Sequence, residues 1–150
     1  MRYMQITELL AVLNALSNAN IDYALIRNFR PLTGKTINIR YNPKDIDILI
    51  SAADKNKIVP VMQKAGFKKL LLCPSAGHLG FARYSNGYFI SFHYHTGGIA
   101  GAHIPYLDAK TLLSRKRQSN GINIVSDEDL LLTLLMHSIL DGAKIKKAYK

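Results

Sequence analysis

Asp45-Ile46-Asp47-Ile48-Leu49-Ile50 decides how this chain is read. Two carboxylates stand two residues apart at the head of an apolar, β-branched run, the pattern of a buried β-strand. Side chains at i and i+2 of a strand leave the same face, roughly 6.5–7 Å apart at a rise of ~3.3 Å per residue. Carboxylates so placed can clamp a divalent cation. Ionised Asp is rarely buried unless it is paired or coordinates metal, so the pair asks for an explanation. The local alternative is that Asp45 caps a turn after Asn42-Pro43-Lys44 while Asp47 pairs with a nearby Lys or Arg.

The surroundings of the pair bound the answer. A chain of 150 residues suits one domain, 1–150, burying close to ~70% of its unfolded surface. Hydrophobic residues make up 48% and charged residues 20%, and no stretch approaches the ~18 apolar residues of a membrane span. Met1-Arg2-Tyr3-Met4 leads into an amphipathic helix rather than the apolar core of a signal peptide, which predicts a soluble cytoplasmic protein. The one cysteine, Cys73, excludes an intramolecular disulfide and a multi-thiolate zinc site, and reads as a strand residue of the core.

The net charge of +10, from 20 Lys and Arg against 10 Asp and Glu, favours anionic ligands without choosing among nucleotides, nucleic acid and phosphorylated sugars. Nucleic-acid binding stays open as an alternative, but no RNA-binding aromatic signature, helix-turn-helix or zinc-finger spacing accompanies the charge. Lys144, Lys146, Lys147 and Lys150 read as a solvated helix end that complements the macrodipole.

Leu9, Leu10, Val12, Leu13 and Leu16 recur at helical spacing, predicting a helix from Thr7 to Asn18, and Ile21 to Ile26 reads as a strand. Arg27 to Pro43 reads as a loop in which Ile37, Ile39 and Tyr41 suggest an edge hairpin. Ser51 to Asp54 resembles a capping box, and the helix after it should end at Gly66, with Pro60 in its first turn or at a kink. Lys68 to Cys73, Leu79 to Tyr84 and Tyr88 to His95 read as strands, the last two joined by an Asn86-Gly87 turn. Tyr106 to Arg117 reads as a helix, Ile122 to Val125 as a strand, and Ser126 as the N-cap of a final helix through His137. Gly97-Gly98-Ile99-Ala100-Gly101 could hold phosphate, but it lacks the P-loop Lys-Ser/Thr and does not lead straight into a helix, so it reads as a mobile loop over the sheet's edge. The order gives an α/β (α+β) domain with a mixed, largely antiparallel sheet flanked by helices.

Four segments together resemble the DNA polymerase β-like nucleotidyltransferase superfamily, in its small bacterial and archaeal branch. They are Tyr23-Ala24-Leu25-Ile26-Arg27-Asn28, Asp45 to Ile50, Ala65-Gly66-Phe67 and Ile104-Pro105-Tyr106-Leu107-Asp108; Glu128-Asp129-Leu130-Leu131-Leu132 to His137 adds to them. The resemblance implies a nucleotidyltransferase-like palm that moves a nucleoside monophosphate from an NTP such as ATP to a hydroxyl acceptor. It also implies Mg²⁺ held by Asp45 and Asp47, and two metals stabilise both oxygens of an in-line displacement. Similar proteins often continue into a helical region, so a homo-oligomer or a missing second domain is expected to complete the acceptor site.

Two departures from that pattern stand out. Where a Gly-Gly or Gly-Ser pair is expected, this chain has Asn28-Phe29, and a Phe side chain would hinder close backbone contact with phosphate. Arg27, Asn28, Arg30, Lys35 and Arg40 are the candidates to contact the nucleotide phosphates instead. The usual third carboxylate is missing from Tyr88 to His95, where alternation places Ser91, His93 and His95 on one face and Ile90, Phe92 and Tyr94 on the other. His93 is the candidate base or third metal ligand, and an imidazole among carboxylates shifts preference from Mg²⁺ towards Mn²⁺ or Zn²⁺. A catalytically degenerate nucleotide- or partner-binding module is the alternative, and the histidines then belong to a wet sheet face. His78 reads as a loop histidine, and His137 with Asp141 as a structural i, i+4 pair.

Overall fold

The computed structural model describes residues 6–33, 45–71, 77–85, 87–101 and 104–140. Ile37, Ile39, Tyr41, Cys73, Asn86, Asp141 and Lys144 to Lys150 lie outside them.

Helix α1 (Ile6–Asn18) buries Leu9, Val12, Leu13 and Leu16, the stripe its 3.6-residue period demands. Asn20, at φ 52, turns the chain into β1 (Tyr23–Leu25). After a short helix α2 (Arg30–Thr33), strand β2 (Ile46–Ile50) carries the aspartate motif, buried at all five positions. Ser51 caps a 3-10 turn, Ala52–Asp54, by accepting from the Ala53 N–H, and the turn feeds helix α3 (Lys55–Lys64). Pro60 sits inside α3 and Gly66, at φ 82, closes it as expected of a C′ residue.

Strands β3 (Lys68–Leu70), β4 (His78–Ser85) and β5 (Tyr88–Thr96) form an antiparallel run. Next come β6 (Gly98–Gly101) and β7 (Ile104–Asp108), then α4 (Ala109–Ser114), β8 (Arg117–Ser119), β9 (Ile122–Ile124) and α5 (Asp127–Leu140). Among the described residues the main sheet has seven strands in the order β3-β4-β5-β2-β1-β9-β8. Only β2–β5 and β1–β9 pair in parallel, so the sheet is mixed and largely antiparallel, as the sequence predicts.

Two segments correct the sequence reading. Gly97 to Gly101 is not a loop: its last four residues are strand β6, paired with β7 in a separate two-stranded sheet. Backbone packing requires glycine there, because a Cβ on Gly98 would stand 2.3 Å from the Leu107 carbonyl oxygen. Nor is Tyr106 to Arg117 one helix. Ile104 to Asp108 pairs with β6, and Asp108 then caps α4 by accepting from the Lys110 and Thr111 amides. The helix ends by Ser114, and Arg117 to Ser119 pairs with β9 through Asn120-Gly121, both at positive φ, the backbone of a two-residue type I′ hairpin.

The sheet's two faces differ in chemistry. Ile46, Ile48, Ile50, Phe92, Tyr94 and Phe81 face α1 and α3, where the Tyr94 hydroxyl meets Met62 Sδ at 2.9 Å and Phe67 packs edge-on to Phe92. Burial raises the Tyr94 phenol well above its usual value, so it stays protonated. Ala24, Ile26, Asp47, His93 and His95 face the other way, towards β6–β7 and α5. The core therefore lies mainly on the helix side, and the polar residues gather under β6–β7. No described helix is long and apolar enough to cross a membrane.

Candidate functional site

The parallel pairing of β2 with β5 sets Asp47 beside His93 and Leu49 beside His95. Period-2 alternation puts Ser91, His93 and His95 on the same sheet face as Asp47, as the sequence predicts. Strand β4 adds His78, directly opposite His95, while Gly80 opposes His93 and leaves the imidazole room. Three imidazoles thus share one patch: His78 stacks on His95 with ring centroids 4.9 Å apart and lies 4.9 Å from His93 at a tilt. The sequence reading of His78 as a loop histidine is corrected by this placement on β4.

Asp47 is the buried centre of the patch. Its Oδ2 is 3.0 Å from Arg27 Nη2 and its Oδ1 is 3.2 Å from His95 Nε2. Burial by itself would push the Asp47 carboxyl up, but the His95 hydrogen bond and the Arg27 charge together hold it well below the usual carboxylate range. Asp47 is therefore an anion at every physiological pH. Asp45 contrasts with it: its side chain is half-exposed and its Oδ1 stands 3.5 Å from His93 Nε2. That same nitrogen shares a 2.9 Å hydrogen bond with the Ser91 hydroxyl, which fixes the ring's orientation.

His78 is the odd member. Burial disfavours its charged form, and the neighbouring His95 and His93 add repulsion, so its pKa falls to about 4 and the ring is neutral near pH 7. Its Nε2 is enclosed and has no hydrogen-bond partner among the described residues.

The Asn28-Phe29 departure acquires a physical explanation. Asn28 adopts φ 62, a left-handed conformation that Asn tolerates better than other side chains and that glycine takes freely. Phe29 turns into the core at 2% exposure, so its ring does not stand over the site as the sequence suggested. Asn28 itself is exposed beside Arg27. The Arg30 backbone opens α2, whereas its side chain, Lys35 and Arg40 lie outside what is described.

Helix α5 closes the far side of the patch. Thr133 and His137 line a small cavity of about 20 Å³ together with Arg27, His95, Ile99 and Tyr106. The sequence spacing of Thr133 and His137 places them on one helix face, but nothing in it pointed that face at Arg27 and His95.

The donor chemistry suits a divalent cation in kind. Asp45, Asp47 and His93 offer oxygen and imidazole donors from one face, and the Arg27 guanidinium already stands as a cation against Asp47. Among the described residues no three His, Cys, Asp or Glu side chains meet as a finished metal cage. A cage of that kind is not required of Mg²⁺, which is commonly held by one or two carboxylates with substrate phosphates and water supplying the rest.

In comparisons with solved structures the whole architecture recurs. The chain superposes on lincosamide antibiotic adenylyltransferase LnuA, solved bound to lincomycin, with a TM-score of 0.59 and 18% identity, covering 95% of this chain and 100% of that one. It superposes equally on the candidate nucleotidyltransferase TM1012 from Thermotoga maritima, with a TM-score of 0.60 and 15% identity over 95% of this chain and 92% of that one. The fold is a nucleotidyltransferase fold. At these identities the likeness is one of fold. No family model matches the sequence, and no curated protein does.

Within a nucleotidyltransferase fold, the aspartate strand lies at the middle of the sheet, with Asp45 and Asp47 at its start.

Proposed function

We propose that this protein transfers a nucleoside monophosphate from an NTP to a hydroxyl acceptor with the help of a divalent cation. The observation that carries the reading is the Asp45–Asp47 pair on the central strand of a nucleotidyltransferase fold, with the second carboxylate ionised although buried. A buried anion that persists at neutral pH is a standing attractor for cations.

In this reading the acceptor oxygen bonds to the α-phosphorus, the bond to the β-phosphate oxygen breaks, and pyrophosphate departs. His93 Nε2, oriented by Ser91, takes the acceptor proton. Asp45 and Asp47 would hold the cation, and a cation there would neutralise charge on the phosphates and acidify the attacking hydroxyl. Arg27 is the phosphate-facing charge nearest the pair, with Asn28 offering an exposed backbone turn beside it. For the acceptor, the lincomycin-bound neighbour makes a small compound bearing hydroxyls the first class to test.

The experiment is calorimetric titration with ATP, GTP, CTP and UTP in Mg²⁺, in Mn²⁺ and in chelator, followed by a pyrophosphate-release assay across small hydroxylated acceptors. Binding that needs metal and disappears in Asp45→Asn/Asp47→Asn is expected. For His93→Gln, kcat should fall on the order of 10²-fold or more while NTP binding survives, the loss of a general base. NTP binding that is unchanged in the double variant sinks the assignment.

One observation favours a second reading, a nucleotide- or partner-binding module without catalysis. Both Asp47 oxygens are already engaged, by Arg27 and His95, and β5 carries no acid. Pyrophosphate release with any acceptor would remove it.

A further inference from the structure

Given nucleotidyl transfer at Asp45 and Asp47, on which this rests, we propose that Tyr84 and Phe89 form the acceptor subsite. They would hold a saturated, hydroxyl-bearing ring whose neighbouring ring or arm carries the reacting hydroxyl to His93. Antiparallel pairing sets Tyr84 of β4 directly opposite Phe89 of β5. The two are 73% and 61% exposed, whereas every other Phe and Tyr side chain among the described ones is buried or half-buried. A cross-strand aromatic pair steadies a hairpin, and rings left open to water are also what ligand sites use to hold apolar faces.

The platform lies on the site's own face of the sheet. Phe89, Ser91, His93 and His95 alternate onto one face of β5, and Tyr84, Ala82, Gly80 and His78 stand opposite them on β4. Asp47 shares that face through its pairing with His93. Between the rings and His93 the two strands present Ala82, Ser91 and Gly80, none of them bulky. His93 Nε2 shares its 2.9 Å hydrogen bond with the Ser91 hydroxyl, so the proposed base is drawn along the strand towards Phe89. From Ser91 to Phe89 is one i, i+2 step, roughly 6.5–7 Å.

Strand order says which substrate lies there. Strand β2 stands between β5 and β1, so His93 and Arg27 flank Asp47 from opposite sides. Phosphates drawn to Arg27 take the β1 side, and the acceptor takes the side of His93. The rings are farther still from β1, Phe89 one strand and Tyr84 two strands beyond β2, at about 4.8 Å per strand. A step of about 7 Å is longer than the reach of a hydroxyl from the centre of its own six-membered ring. The stacked ring is therefore joined to the group that reacts, as in a disaccharide or a glycoside with a hydroxylated arm. Phe89 offers an apolar face to ring C–H groups, and the Tyr84 hydroxyl can donate to or accept from the ring's own hydroxyls.

Steady-state kinetics of pyrophosphate release tests the platform, with mono- and disaccharide methyl glycosides as acceptors beside calorimetry of ATP, GTP, CTP and UTP binding. The parent should favour the disaccharide glycosides. In Tyr84→Ala/Phe89→Ala their KM should rise about ten-fold or more while kcat and the Kd for the NTP hold, the signature of lost acceptor binding. Tyr84→Phe/Phe89→Tyr keeps both rings and should keep the parent's KM. Two rings this exposed contribute little to the core, so the far-UV circular dichroism of the alanine variant should match the parent's. An NTP Kd that rises in that variant overturns the proposal by giving the rings to the nucleobase. An unchanged acceptor KM, or turnover confined to acyclic alcohols, overturns it outright. Those outcomes leave nucleotidyl transfer standing, whereas a parent that releases no pyrophosphate with any acceptor removes both.

Discussion

Arg27 and Asp47 face each other from the end of β1 and the centre of the sheet, Nη2 to Oδ2 at 3.0 Å, with the Asp47 side chain only 8% exposed. The guanidinium keeps a buried carboxylate ionised, and the carboxylate fixes the residue that stands nearest to the proposed phosphate site. Structure and function are therefore coupled in one pair. Removing one partner of a buried pair leaves an uncompensated charge, so Arg27→Met should destabilise the fold by about 3 kcal/mol. Urea unfolding at pH 7 measures it. A change below about 1 kcal/mol would mean that His95 alone satisfies Asp47.

The same pair predicts acid behaviour. The folded Asp47 carboxyl titrates below its unfolded value of 3.8, so its contribution is fully present above that pH and is lost as pH falls below it. Asp47→Asn should be less stable than the parent at pH 7, and the gap should close as the pH is lowered from 4. Parallel urea titrations of the two proteins follow the convergence, and a gap independent of pH would contradict the assigned shift.

His78 should act in a different window. Its folded pKa of about 4 lies below the unfolded 6.5, so the unfolded chain takes up the proton first as pH falls. The stability from a neutral His78 is complete above 6.5 and is lost between 6.5 and about 4. Imidazole resonances followed by NMR should give His78 a midpoint of about 4, and His78→Phe should flatten the stability profile across that window. A His78 midpoint near 6.5 would show that the ring is not enclosed between His93 and His95.

Gly98→Ala tests the support of the site. The added Cβ would lie 2.3 Å from the Leu107 carbonyl, and backbone must move to admit it. Overpacking of this kind costs about 1–3 kcal/mol, so the melting temperature should drop by several degrees. Gly121→Ala meets no neighbouring atom but keeps the left-handed φ of 76, so it isolates conformational cost from clash and should cost less. Equal losses in the two variants would show that crowding at Leu107 is relieved without strain.

Thr133 offers a gain. Its hydroxyl is buried at 1% residue exposure and has no hydrogen-bond partner among the described residues. Valine has nearly the same shape without the polar atom, so Thr133→Val should stabilise by about 1 kcal/mol, read as a rise in melting temperature of roughly 2–4 °C. A loss of stability instead would show that the small cavity beside Arg27 and His95 holds a water bonded to Thr133.

The strands and helices with a clean period were legible in the chain. The stripe Leu9, Val12, Leu13, Leu16 gave α1, and the alternation Ser91, His93, His95 against Ile90, Phe92, Tyr94 gave both the strand and its two faces. What was misread had mixed signals. Tyr106 to Arg117 contains the end of a strand, a cap, a short helix and the start of the next strand within a span that a helical period also fits, and only the Asp108 cap and the Asn120-Gly121 hairpin signal could have divided it. Gly97 to Gly101 looked like a loop because glycine is unfavourable in strands, yet the close backbone approach at Leu107 selects it.

The sequence by itself determined the aspartate strand and the polar face of the histidine strand, because periodicity is a local property of the chain. Only the tertiary structure decided what Asp47 meets. The parallel register of β2 on β5 brings His93 and His95 to it, the antiparallel partner β4 delivers His78, and the return of β1 supplies Arg27, residues 20 to 48 positions from Asp47 in sequence. Such contacts depend on which strands become neighbours, and that choice rests on the burial of the whole core rather than on any segment's own pattern.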